Sequence, residues 1–142
     1  MSEPSLRAGE EQDVQVCAAA RAPRTSEERE TVSAYYRLVD AGDVGGLLQL
    51  FSVDAVYLRP GYQPIVGRAE IERFYREQRV IREGCHRIAL LVDAAQAVAA
   101  HGEFVGVLRD GRHVQLRFAD FFTFDDTGHF ARRETFFFTP LV

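Results

Sequence analysis

The sequence predicts an α+β domain, three amphipathic helices followed by an antiparallel meander of four strands. Three observations carry this. Apolar residues recur at helical spacing up to about residue 81, and beyond Gly84 the period shortens to two. Turn-forming stretches, Asp110-Gly111 and Asp125-Asp126-Thr127-Gly128, separate the alternating runs. Helices grouped before strands give segregated layers, with the helices covering one side of the sheet.

Residues 1–24 mix Ser, Glu, Gln, Ala and Pro without clear periodicity and are expected to form a flexible extension, with Val14 to Arg21 compatible with a turn or two of helix. The domain itself is expected over residues 25–142. A capping box, Thr25-x-x-Glu28, starts the first helix, and Val32, Tyr35, Tyr36 and Val39 give it one buried face. Ala41-Gly42-Asp43 closes that helix and caps a second, short one with Val44, Leu47, Leu48 and Phe51 inward. Val53 to Arg59 alternates as a strand, and Pro60-Gly61-Tyr62-Gln63-Pro64 is a loop. A third helix runs from Gly67 through Ile71, Phe74, Tyr75 and Ile81. The meander strands are read as Cys85–Val92, Ala97–Leu108, Arg112–Phe124 and His129–Thr139.

Composition bounds the function. The chain has 142 residues, 46% hydrophobic and 27% charged, as expected of one soluble globular domain. No apolar run approaches the roughly 18 residues a membrane helix needs. The acidic, polar start from Met1 to Asp13 is unlike a signal peptide. Net charge is −4 with the basic residues scattered, which argues against a nucleic-acid partner. Cys17 and Cys85 have no metal-site spacing, and no disulfide is expected between a tail residue and the domain, so a cytoplasmic setting is the default. No histidine–carboxylate pair has metal-site spacing either, so no metal is expected. Most of the 11 phenylalanines fall in the last strands, implying burial there on more than one face.

One residue breaks the pattern. Along Arg112–Phe124, Val114, Leu116, Phe118, Asp120, Phe122 and Phe124 share a face, five apolar residues and one carboxylate. An ionised carboxylate among phenylalanines needs a partner or must stay protonated. Three readings stand: a bulge turns Asp120 to water; an arginine such as Arg117 or Arg133 pairs with it; or it sits in a pocket as a hydrogen-bond donor or base. A tyrosine on the apolar face of a helix is ordinarily a core residue, so Tyr35 and Tyr75 carry no such signal on their own.

Four stretches carry a resemblance. They are Tyr35…Asp40-Ala41-Gly42-Asp43…Leu50-Phe51…Asp54-Ala55-Val56; Gly67…Ile71-Glu72-Arg73-Phe74-Tyr75; Gly111-Arg112…Asp120-x-Phe122-x-Phe124; and Gly128…Phe137. In order and spacing they resemble the ketosteroid isomerase branch of the nuclear-transport-factor-2-like superfamily, which also holds the SnoaL-like polyketide cyclases. The resemblance covers Tyr35 to Phe137 and implies a cone-shaped, strongly curved mixed or antiparallel sheet wrapped around three helices and enclosing a pocket. It implies that Tyr35 and Asp120 polarise a substrate oxygen while Tyr75 supports Tyr35. A carboxylic acid kept neutral by an apolar site, so that it can donate a hydrogen bond, is characteristic of those isomerases.

The sequence departs from the isomerases at Arg59-Pro60, where they carry a catalytic aspartate before the proline. Arginine does not shuttle protons at neutral pH, so steroid isomerisation is not expected. On Ala97–Leu108 the resemblance implies a pocket face of His101, Glu103, Val105 and Val107, with Glu103 or His101 handling the proton. It adds Arg133, Thr135 and Phe137 from the last strand, with Phe118 and Phe122 as apolar wall and Arg59 binding an anionic or carbonyl group at the mouth. His86, His113 and His129 are given no role. The expected function is a cofactor-free cyclase or isomerase acting on a small apolar ketone, enone or epoxide of polyketide or other natural-product biosynthesis. The alternative is a non-catalytic binding or scaffolding domain, which predicts a cavity closed by phenylalanines. Phe121, Thr123, Phe136 and Phe138 are expected on the outer face, implying a homodimer through the sheet.

Overall fold

The computed structural model describes residues 14–15 and 26–138. The elements run β1 (Val14–Gln15), α1 (Glu27–Asp40), α2 (Val44–Leu48), β2 (Phe51–Leu58), β3 (Ile65–Val66), α3 (Arg68–Arg73), a π-helical turn (Phe74–Gln78), β4 (Ile81–Ala94), β5 (Ala97–Leu108), β6 (His113–Phe124) and β7 (Phe130–Phe137).

The first helix begins one residue later than the capping box suggests. Ser26 is the N-cap, its hydroxyl accepting from the Arg29 N–H at 3.4 Å, while Thr25 lies outside the described residues. Glu27, Glu28 and Glu30 in the first turn complement the helix dipole. Its inward face is the expected one, with Val32, Tyr35, Tyr36 and Val39 buried. Gly42, at φ +73°, turns the chain, and Asp43 then caps α2 by accepting from the Gly46 N–H at 2.8 Å.

The third helix ends differently from the sequence reading. The α-helical turns stop at Arg73, the next five residues are π-helical, and Ile81 already belongs to β4. The Arg79 N–H reaches back five residues to the Phe74 carbonyl at 2.8 Å. The wider turn brings both Phe74 and Tyr75 inward, consistent with the frequent placing of such turns at functional sites.

One seven-stranded sheet runs in the order β1-β4-β5-β6-β7-β2-β3, antiparallel throughout except for the parallel pair β2–β7. α1 packs on the inner face of β4 and β5. Curvature has a local cause. β4 carries register shifts between Ile81 and Glu83 and between Ile88 and Leu90, and such bulges bend and twist a strand. Gly84 and Gly106 seat the Phe104 ring, since a Cβ on either would meet that ring at 2.3 and 2.5 Å. Strand glycines of this kind mark close approach. β4 is also longer than the Cys85–Val92 stretch read from alternation, running from Ile81 to Ala94.

Two readings of the N-terminal region change. Val14 and Gln15 form a strand against Ile88 and Arg87 rather than helical turns; the remainder of the 1–24 extension lies outside the described residues. Cys85 is disulfide-bonded, against the expectation of unpaired thiols, and its partner lies outside the described residues. The cysteines therefore no longer support a cytoplasmic setting. Among the described residues no helix is long and apolar enough to cross a membrane.

Candidate active site

Between the helices and the concave sheet face lies a cavity of about 460 Å³. Phe104, Val114, Leu116 and Phe118 form its apolar sheet wall, and Arg59, Pro60 and Tyr62 also line it. Its polar centre is built around Arg133. On β6 and β7, Asp120 pairs with Thr135 and Phe122 with Arg133, so the alternation that buries Asp120 also directs Arg133 and Thr135 inward.

Asp120 is fully buried and saturated by donors. The Tyr36 hydroxyl donates to Oδ2 at 2.5 Å, Arg133 Nη2 donates to Oδ2 at 3.0 Å, and the Thr135 hydroxyl donates to Oδ1. A side chain that accepts at three points and donates at none is serving as a carboxylate. Of the three sequence readings, pairing with Arg133 is the one the geometry supports. The neutral-acid donor implied by the resemblance does not fit this hydrogen-bond pattern.

The other edge of the guanidinium serves two phenols. Arg133 Nη1 donates to the Tyr35 hydroxyl at 2.6 Å and to the Tyr75 hydroxyl at 3.1 Å, and those two hydroxyls are bonded to each other. Hydrogens can then be counted. Each phenol oxygen receives one guanidinium hydrogen, and a single phenolic hydrogen bridges the two oxygens. One phenolic hydrogen remains with no acceptor among the described residues, and Tyr35 and Tyr75 both line the cavity.

Electrostatics keep these groups in the states drawn. Burial pushes the Tyr35 phenol well above its ordinary range, although the Arg133 charge pulls part of the way back. Burial and then the Asp120 charge raise Tyr36. Tyr57, which stacks beneath the guanidinium at 4.5 Å, is pushed up by burial to about 12. For Arg133, burial favours the neutral form, but the Asp120 carboxylate first and then the Tyr35 phenol outweigh it and hold the cation well above its ordinary value. Burial thus holds the Tyr35, Tyr36 and Tyr57 phenols neutral around a fixed Arg133 cation.

Eight of the residues singled out from sequence as pocket residues line the cavity: Tyr35, Tyr75, Asp120, Arg133, Thr135, Arg59, Phe118 and Phe137. Phe122 lies beneath it, edge-on to Tyr35 at 5.6 Å and against Phe130 at 4.7 Å. His101 and Glu103 are corrected. They line a shallow outer-face groove with Arg87 and Arg117, while Val98, Ala100, Gly102 and Phe104 turn inward. Both faces of β5 carry Ala and Val, so its alternation has no preferred parity; Gly102 is pressed against the Arg87 carbonyl and sets the choice. Sequence reasoning missed His86, which lines the cavity, and Tyr57, whose only signal was an aromatic at the end of an alternating strand. Arg59 is clasped between the Tyr62 ring at 4.3 Å and the Phe74 ring at 4.1 Å.

A curved, largely antiparallel sheet over three helices, with a polar cluster in the cone, is the nuclear-transport-factor-2-like class. Within that class the chain belongs to the SnoaL-like domain family, whose model matches residues 32–133. Over 50 residues it is 42% identical to epoxide hydrolase LasB of Streptomyces lasalocidi, a stretch that covers 34% of this chain and 18% of that protein. The match thus spans less than a fifth of that relative's length. Solved structures are similar in fold. A nuclear-transport-factor-2-like protein of unknown function from Burkholderia pseudomallei superposes with a TM-score of 0.74 at 20% identity, covering 80% of this chain and 92% of that one. The epoxide hydrolase/cyclase-like enzyme SalBIII, described in pyran ring formation in the polyether salinomycin, gives 0.71 at 20% identity over 80% and 92%. An LEH-like epoxide hydrolase of M. tuberculosis gives 0.71 at 20% identity over 82% and 86%.

Proposed function

We propose that the protein is a cofactor-free cyclase, isomerase or epoxide-opening enzyme for an apolar metabolite that bears a polarisable oxygen. The observation that carries this reading is the spare phenolic hydrogen of the Tyr35–Tyr75 pair, held by Arg133 in an apolar cavity. A preorganised donor costs no reorganisation when charge develops on a substrate oxygen, and low dielectric strengthens it. An epoxide or ketone oxygen seated against that pair would develop negative charge as its C–O bond breaks or its enolate forms. The phenol hydrogen and the Arg133 cation stabilise that charge, and the apolar wall holds the rest of the chain in a reactive geometry. Asp120 anchors the cation, and Tyr36 and Thr135 anchor Asp120, so Asp120 positions rather than reacts.

The named relatives support the chemical class, since epoxide opening and pyran closure both need an oxygen to be polarised. Charge supports an anionic group on the substrate. Arg59, Arg79 and Arg133 line the cavity against the single carboxylate of Asp120. A purely scaffolding domain would not need to keep about 460 Å³ open beside this cluster.

The test is a spectral titration with 2-naphthol and 2-naphthoate. Both should bind the wild type, 2-naphthol with a shifted absorbance band, and 2-naphthoate more tightly than 2-naphthamide. The double variant Tyr35→Phe/Tyr75→Phe should remove the naphthol shift, because either phenol alone keeps a hydrogen to donate. An unshifted naphthol spectrum at saturation would sink the oxygen-polarising reading. For the outer face, we propose a homodimer. Phe121 and Phe136 are each 49% exposed and Phe138 69% exposed, close enough for the first two rings to meet edge-on at 5.7 Å.

A further inference from the structure

We propose that Asp40 and His86 form the proton-transfer dyad of this cavity, with His86 Nε2 taking the substrate's proton. The proposal rests on the oxygen-polarising reading above and supplies the base that reading lacks.

The geometry is specific. His86 Nδ1 lies 2.5 Å from Asp40 Oδ1, and the His86 backbone N–H donates to Asp40 Oδ2 at 2.8 Å. Both carboxylate oxygens therefore grip one residue, which fixes the ring and places its hydrogen on Nδ1. The lone pair is then on Nε2, for which no described residue provides a hydrogen-bond partner. The imidazole is walled by Tyr36, Phe104 and Phe118, with ring centres at 5.1, 4.7 and 5.4 Å, and it lines the cavity.

A purely structural pair would pin β4 to α1 equally well through the backbone bond alone. Two features exceed that need. The ring opens to the cavity instead of being enclosed in the core, and Asp40 is the last residue of α1, where the helix dipole disfavours an anion. A carboxylate held there is offset by a partner able to become a cation. The dyad and the donor cluster also share one wall: the Tyr36 ring lies 5.2 Å from Tyr35 and 5.1 Å from His86. Acid and base are thus set one aromatic ring apart, a separation a bound substrate can bridge.

The step balances. A substrate O–H gives its proton to Nε2 while its electron pair forms a C–O bond at an epoxide carbon. The epoxide C–O bond breaks, its electrons pass to the departing oxygen, and that oxygen takes the spare phenol proton. The imidazolium proton then returns to the phenolate through water as product leaves. For a ketone, the proton comes from the α-carbon and the electrons pass into the enolate oxygen.

The ketone case gives a test that needs no native substrate: α-deuterium exchange of 2-tetralone followed by proton NMR. The wild type should accelerate exchange, and His86→Gln should lose about 100-fold or more with tetralone binding retained. Asp40→Asn should lose less and should redistribute the His86 tautomers, seen in the imidazole nitrogen-15 shifts. If His86→Gln exchanges at the wild-type rate while the Tyr35→Phe/Tyr75→Phe double variant is slowed, the dyad is overturned and the oxygen-polarising reading stands. If bound tetralone exchanges no faster than free, both fall. Should His86→Gln fail to fold, carbethoxylation of the wild type decides. Modification mapped to His86 that leaves exchange intact overturns the dyad, and loss of exchange in step with it supports the dyad.

Discussion

The Asp120–Arg133 pair makes the most exacting prediction because both partners are out of water. Asp120 is 0% and Arg133 5% exposed. Removing one partner of a buried pair leaves an uncompensated charge and costs about 3–5 kcal/mol, against a typical domain stability of about 5–15 kcal/mol. The two truncations should not be equal. Asp120→Leu strands Arg133 Nη2 and also the hydroxyls of Tyr36 and Thr135, so it belongs at the upper end of that range. Arg133→Met leaves the carboxylate its two hydroxyl donors and belongs at the lower end. The double variant removes both charges, so its cost should fall short of the summed single costs by at least about 2 kcal/mol. Urea unfolding followed by circular dichroism reads this directly, provided the denaturant slope is unchanged. Additive single effects, or an Arg133→Met cost below about 1 kcal/mol, would refute the coupled buried pair.

The remaining predictions are simpler. Tyr57 is raised by burial from 10.0 to about 12, so the unfolded phenol ionises first and stability is lost as pH climbs between those values. The loss from this group is about 2–3 kcal/mol, with Tyr35 and Tyr36 acting in the same direction. Absorbance at alkaline pH should show these phenols ionising only as the fold is lost, and full ionisation of a still-folded protein would contradict their burial. Gly102→Ala would place a Cβ 2.2 Å from the Arg87 carbonyl oxygen, so strand β5 must move away from β4. A loss of about 1–3 kcal/mol is expected, and an unchanged urea midpoint would show that the strands are not in close approach there. Phe136→Asp should convert the proposed homodimer to monomer in sedimentation experiments without altering naphthol binding; a wild type that is already monomeric would remove that proposal.

The sequence revealed what periodicity encodes and hid what register and turn geometry decide. The β6 alternation located Asp120 in the interior because only one residue in six on that face is polar. It did not reveal the state of Asp120, since the partners come from α1 and β7, at residues 36, 133 and 135. Strand β5 failed for the opposite reason. Small apolar residues on both faces leave its parity to a glycine contact, and His101 and Glu103 fell on the wrong side. The π-helical turn was likewise invisible to a 3.6-residue period, although it is what turns Tyr75 toward Tyr35. His86 needed a carboxylate 46 positions away, and no local spacing announces such a pair.

The departures from the isomerase pattern become coherent once Arg133 is placed at the centre. A neutral acid beside a phenol can polarise an oxygen only while it stays protonated, which an adjacent arginine would prevent. Here the arginine has taken over: it supplies positive charge to both phenols, and Asp120 is reduced to anchoring it. The same substitution of function explains Arg59. Where the isomerases carry a base, Arg59 instead adds a second cation to the cavity lining, stacked between Tyr62 and Phe74. Under the proposed function, these cations would seat an anionic substrate end-on, with its charge at Arg59 and its reacting oxygen at the phenols. In the proposed mechanism the proton-accepting task falls to the Asp40–His86 pair, one aromatic ring from the phenols across Tyr36.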